Sequence, residues 1–132
     1  MTADVATSTV LLYSDDPKVR ERMRLAIGTH PAPGLAVRFL EASAHDEVVR
    51  LVDRWRIDLL VLDGEAVPAG GIGIARQLKD EIFECPPLLV LTGRAQDGWL
   101  ATWARAEAIV PHPIDPVRLA DVAAALLRPR VA

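Results

Sequence analysis

Three carboxylates, a hydroxyl and an imidazole hold the chemistry this sequence could do. Asp15 and Asp16 follow the apolar run at residues 9–14, Asp63 follows Leu59 to Leu62, Thr92 follows Leu88 to Leu91, and His112 follows Ala108 to Val110. Each stands just after a short apolar stretch, where a strand would end. If those stretches are parallel strands, their carboxyl ends share one rim, and ligand chemistry in open parallel sheets gathers beyond such ends. Three carboxylates on one rim repel each other unless a cation stands among them. Oxygen ligands of this kind suit a hard divalent ion, best a partly hydrated Mg²⁺. A carboxylate beside such an ion can serve as a nucleophile towards phosphorus. The metal, a hydroxyl and a cation would then share the charge of the transferring phosphoryl group.

The elements that must position these groups are legible in turn. Residues 57–64, Ile-Asp-Leu-Leu-Val-Leu-Asp-Gly, place four apolar residues between two carboxylates. An uninterrupted apolar run of that length reads as a strand buried on both faces. Residues 9–14, 35–40, 88–91 and 108–110 supply four more strands, the second near an edge. Asp16-Pro17 predicts a capped helix start, and the helix runs over 17–27 with Val19, Met23, Ala26 and Ile27 on one face. Helices follow over 44–56, with Val48, Val49, Leu51, Val52 and Trp55 inward, over 72–82, and over 96–106, where Trp99 and Trp103 stand at i, i+4. Asp115-Pro116 repeats the cap-plus-proline start of the last helix, over 117–127. Strands alternating with helices predict a three-layer α/β sandwich, a parallel sheet with helices on both faces.

Composition narrows the function classes. A net charge of -3 offers no basic surface for nucleic acid. No apolar run approaches the length of a membrane span, and the first nine residues lack the regions of a signal peptide. A single cysteine, Cys85, rules out an internal disulfide, and a reducing, cytoplasmic setting follows as the simplest expectation. The chain reads as one domain over 1–132, with its core over 9–127 and no output domain. Gly70-Gly71-Ile72-Gly73 fails the dinucleotide fingerprint, because Arg76 occupies the third glycine position. His30, His45 and His112 have no zinc-ligand spacing.

Taken together, these motifs resemble the receiver domains of two-component response regulators over nearly the whole chain. The match rests on an acidic pair after the first strand (Asp15-Asp16), an aspartate ending the third (Asp63), a threonine and small residue ending the fourth (Thr92-Gly93), and His112-Pro113 after the fifth. Gly71 also fits, eight residues past Asp63. The resemblance implies a flavodoxin-like strand order 2-1-3-4-5 with five helices. It implies Asp63 as phosphoacceptor, and Mg²⁺ held by Asp15, Asp16, Asp63 and the main-chain carbonyl of Glu65. Thr92 and His112 would contact the phosphoryl group. A switch and partner face would lie around Trp99, Trp103, Ile109 and Val117, formed by the fourth helix, fifth strand and last helix, and could support a homodimer. Partners would be a sensor histidine kinase or small phosphodonor, and a downstream protein. The protein would not be an enzyme beyond self-phosphorylation and its reversal.

The sequence departs from that family at three positions. His112 stands where the family has lysine, and an imidazole is mostly neutral near pH 7 where an ammonium is charged. Ile109 replaces an aromatic residue that swings inward on activation, and Val67-Pro68 shifts a loop proline by one. These departures motivate an alternative from another class, a phosphorylation-independent interaction module that keeps the receiver shape. A phosphatase or dehalogenase using Asp63, with Glu65 as a second acid, is a weaker third reading because no cap or substrate-binding segment exists.

Overall fold

A computed structural model of the protein describes residues 7–67, 70–93 and 104–131, with side chains described through 128. The chain alternates β1 (Thr7–Tyr13), α1 (Pro17–Ile27), β2 (Ala36–Ala42), α2 (His45–Arg54), β3 (Leu59–Asp63), α3 (Gly71–Glu81), β4 (Leu88–Thr92), β5 (Ala108–Pro111) and α4 (Pro116–Val131). All strand pairs are parallel, in the order β2-β1-β3-β4-β5. The expected order and edge position of the second strand are therefore observed.

Alternation along the strands builds two cores, one on each side of the sheet. Val10, Leu12, Leu59, Val61, Leu89 and Leu91 pack with Met23 and Ile27 of α1 and Leu119, Ala123 and Leu127 of α4. Leu11, Tyr13, Leu60, Leu62, Leu88 and Val90 pack with Val48 of α2 and Ile74, Ala75 and Leu78 of α3. All five residues of β3 are buried, as a central strand covered by helices on both faces requires.

Local signals fix the helix starts that surround the candidate rim. Asp16 caps α1, its Oδ1 accepting from the Lys18 N–H at 2.8 Å, with Pro17 at the first helical position. Gly28 ends that helix at φ +68°, a conformation that disfavours any side chain. Gly71 opens α3 directly against the end of β3. A Cβ there would stand 2.8 Å from the Asp63 carbonyl oxygen and 2.9 Å from Leu62 Cβ. Only a hydrogen lets the helix approach this closely.

Three expectations are corrected. Four helices, not five, occur among the described residues. Most of the helix expected over 96–106, with Trp99 and Trp103, lies outside the described residues, and the portion that is described, 104–106, forms no helix. Trp55 and Val49 do not turn inward; they are 43% and 37% exposed. The Trp55 ring instead lies 5.7 Å from the Arg38 guanidinium, a cation–π contact on the outside of the sheet edge. The last helix also runs beyond residue 127, to Val131.

Candidate functional site

Asp63 ends β3 and is only 3% exposed, yet it borders a cleft of about 430 Å³ lined by Asp15, Asp16, Val19, Asp63, Glu65, Gly93 and His112. Register explains who meets whom. Tyr13 pairs with Leu62, so the next residues, Ser14 and Asp63, come level at the ends of neighbouring strands. Asp63 pairs with Leu91 and Thr92 pairs with Pro111, which brings His112 to the same rim. The His112 N–H donates to the Thr92 carbonyl at 2.7 Å and fixes that last step.

Both oxygens of Asp63 accept hydrogen bonds. The Glu65 N–H donates to Oδ1 at 2.9 Å, His112 Nε2 lies 3.0 Å from the same Oδ1, and the Ser14 hydroxyl donates to Oδ2 at 2.8 Å. An ionised carboxylate accepts only, so His112 must carry its proton on Nε2 for this contact to bind. Three donors converge on one buried carboxylate, which is how a folded protein accommodates such a group.

Ser14 is the site residue that sequence reasoning missed. It is fully buried, its Oγ accepts from the Asp16 N–H at 3.1 Å, and its carbonyl accepts from Arg20 Nη1 at 2.7 Å. The sequence carries half of that signal. An aspartate directly before Pro17 reads as a helix cap, which gives Asp16 a task of its own, but β1 is buried on both faces, and only its pairing with β3 puts position 14 level with Asp63.

The two expected carboxylates after β1 divide accordingly. Asp15 lies across the cleft, its Oδ1 accepting from the Val67 N–H at 3.2 Å, whereas Asp16 Oδ1 serves the α1 cap. Among the described residues, no group of three or more His, Cys, Asp or Glu side chains is placed to hold a metal ion. Mg²⁺ does not require such a group, since it keeps several waters and binds through one or two carboxylates. The hard oxygens of Asp15 and Asp63, facing one cleft, fit that demand.

Thr92 is 1% exposed and its hydroxyl has no hydrogen-bond partner among the described residues. A buried hydroxyl left unpaired is destabilising and calls for an explanation. The Glu65 side chain lies against Gly93, where any Cβ would collide with its carboxylate. Tyr13, one residue before Ser14, registers the charge of the rim. Burial pushes its hydroxyl above the ordinary value of 10.0, and the negative charges of Asp15 and Asp63 push it further.

The expected partner face is described only in part. Ile109 is half-buried in β5 and packs against the core on the α2/α3 side. Val117, in the first turn of α4, is 69% exposed. Trp99 and Trp103 lie outside the described residues.

A doubly wound sheet with an aspartate at the end of its central strand, facing an acidic cleft, has the layout of a receiver domain. No protein-family model matches the chain. The chain is 52% identical over 120 residues to an uncharacterized response regulatory protein of Mycobacterium tuberculosis, covering 90% of each. It superimposes on the crystal structure of a two-component response regulator of the LuxR family from Aurantimonas with a TM-score of 0.78 and 29% identity, over 96% of this chain and 89% of that one. The signal receiver domain of a Luxo repressor protein from Vibrio parahaemolyticus shares the fold, with a TM-score of 0.79 at 15% identity over 94% and 92% of the two chains. The chain belongs to the response regulators of two-component signalling, as a receiver domain. No helix among its described residues is long and apolar enough to cross a membrane.

Proposed function

We propose that Asp63 accepts a phosphoryl group from a sensor histidine kinase or a small phosphodonor, and that its phosphorylation alters binding to a downstream protein. The observation that carries this reading is the placement of Asp63: a nearly buried carboxylate at a strand end, opening only onto a cleft whose other walls include Asp15, Glu65 and His112. In the proposed step one Asp63 oxygen attacks phosphorus and forms an acyl phosphate. The bond from phosphorus to the donor's imidazole nitrogen or acetate oxygen breaks, and the leaving group keeps that electron pair. Oδ2, which among the described residues accepts from Ser14 alone, keeps a lone pair for phosphorus, whereas Oδ1 is shared between the Glu65 N–H and His112.

His112 then has a second task. With an Nε2 proton pointed at the rim it can donate to a phosphoryl oxygen where the family has an ammonium. The Thr92 hydroxyl, without a partner among the described residues, supports the same reading, since an added phosphoryl oxygen would give it one. Asp15 and Asp63 are the side chains that would hold Mg²⁺, with the Glu65 carbonyl as the main-chain ligand the family resemblance implies. Bound there, the ion supplies positive charge to the transferring oxygens.

A second reading keeps the fold and drops the chemistry: a phosphorylation-independent module that binds its partner constitutively. One observation favours it, namely that Ser14, His112 and the Glu65 N–H already satisfy Asp63 with no added group. Incubation with acetyl phosphate and Mg²⁺, followed by intact-mass measurement, separates the two. Gain of one phosphoryl group by the wild type and none by Asp63→Asn supports the first. No gain by either, in protein shown to be folded, supports the second.

A further inference from the structure

We infer that Ser14 sets how tightly this site takes a divalent cation, and that Asp16, despite its charge and its place beside the cleft, does not act as a ligand. The inference rests on the reading of Asp15 and Asp63 as the cation-holding pair and goes further, because it names the residue that limits them.

The direction of the Ser14 hydroxyl is what matters. A serine hydroxyl has one proton and can accept elsewhere. Here its oxygen accepts from the Asp16 N–H at 3.1 Å, so its proton is free to go to Asp63 Oδ2, 2.8 Å away. The backbone of Ser14 is itself held, its carbonyl accepting from Arg20 Nη1 at 2.7 Å. Arg20 is in turn held by Glu41, 3.0 Å from its Nε. Ser14 is thus fixed as a donor to the oxygen a cation would use. A cation approaching Oδ2 competes with that proton, and it finds at position 14 a hydroxyl in place of a second inward carboxylate.

Asp16 is held just as firmly to another task. Its Oδ1 accepts from the Lys18 N–H at 2.8 Å, and this capping bond satisfies one of the first N–H groups of α1. Position 14, not 16, is level with Asp63 in the β1–β3 register. Of the two adjacent carboxylates, only Asp15 remains to serve the cleft, and its contact with the Val67 N–H is the longer one, 3.2 Å.

The test is calorimetric titration of the full chain with Mg²⁺ alone, with no phosphodonor present, on the wild type and four variants. Ser14→Asp places a third carboxylate level with Asp63 and is expected to tighten Mg²⁺ binding about tenfold or more. Ser14→Ala removes the competing proton together with the acceptor of the Asp16 N–H, and is expected to tighten binding about threefold, the scale of one modest hydrogen bond. Asp15→Asn is expected to weaken binding about tenfold, and Asp16→Asn to leave it within about twofold. The inference is overturned if Asp16→Asn weakens binding as much as Asp15→Asn. It is also overturned if neither folded Ser14 variant binds more tightly than wild type. Should wild type bind no Mg²⁺ while Ser14→Asp does, Ser14 is confirmed as the limiting residue and the cation role proposed for the natural chain fails. Failure of acetyl phosphate labelling, by contrast, bears on Asp63 as phosphoacceptor and leaves these titrations to stand alone.

Discussion

Strand β3 carries two buried carboxylates, Asp58 just before it and Asp63 at its end, 8% and 3% exposed. Their surroundings are opposite in kind. Asp58 Oδ2 accepts from the Thr9 N–H at 2.8 Å while the Asp58 N–H donates back to the Thr9 carbonyl at 2.8 Å. This reciprocal pair extends the β1–β3 ladder by one step, and the exposed Arg56, 3.5 Å from Oδ1, adds charge from outside. Asp63 is held by one backbone N–H and by two side chains, Ser14 and His112, and borders an open cleft. Gly71, at the start of α3, packs closely against its backbone carbonyl. Burial of a carboxylate therefore does not mark a site. What marks it is an opening onto a cleft that a ligand can enter.

That contrast can be broken by exchanging the roles. Asp63→Asn is expected to abolish phosphoryl uptake from acetyl phosphate, measured as intact mass, while the same measurement on Asp58→Asn shows uptake equal to wild type. Loss of uptake in both variants, each still folded, would erase the distinction between the two ends of the strand. The next largest effect is on stability and runs the other way. Asp58→Ala strands the buried Thr9 N–H without an acceptor and is expected to lower the unfolding free energy by about 2–3 kcal/mol in urea titration. Asp58→Asn keeps an acceptor oxygen and is expected to recover most of that loss. An alanine variant as stable as wild type would show that the Thr9–Asp58 pair holds nothing.

The sequence displayed much of this and concealed some of it for identifiable reasons. The apolar runs that became β3 and β4 are buried on both faces, and such runs leave little room for another assignment. Proline after aspartate located the starts of α1 and α4. Asp58 and Asp63 looked symmetrical in sequence, since a carboxylate flanking an apolar run has the same appearance at either end. Only the direction of the parallel sheet and the neighbours from β1 tell them apart. Ser14 carries no charge to mark it beside Asp15 and Asp16, and only the pairing of β1 with β3 puts it level with Asp63. A helix over 44–56 would turn Trp55 inward, but α2 ends at Arg54, and past a helix end helical periodicity no longer governs where a side chain goes. The indole found Arg38 instead.

A smaller effect tests the division of labour between the neighbouring carboxylates Asp15 and Asp16. Asp16→Ala removes the α1 cap and is expected to lower stability by about 1 kcal/mol in the same urea titration. Uptake of phosphate by the folded protein should remain. A stability loss no larger than that of a mutation at an exposed, uncapped position would deny Asp16 its structural role.

The smallest effect sharpens the comparison most directly, because it reads the charge of one carboxylate without any chemistry. Tyr13 is the only tyrosine in the chain, so its titration followed by carbon NMR is unambiguous. Its hydroxyl is held above 10.0 by burial first, then by Asp15 and Asp63. Asp58 is not among these causes. Asp63→Asn is therefore expected to lower the Tyr13 pKa toward its ordinary value while burial keeps it raised, and Asp58→Asn to leave it in place. The sign for stability follows from linkage. A phenol that ionises later in the folded chain than in the unfolded one favours folding below pH 10.0, and that contribution is lost as pH rises from there through the folded value. Wild type should lose stability in that alkaline range more steeply than Asp63→Asn, whose Tyr13 is less shifted. Equal slopes, or an equal response of Tyr13 to both substitutions, would mean that the charge at the end of β3 is no closer to Tyr13 in its effect than the one at the start.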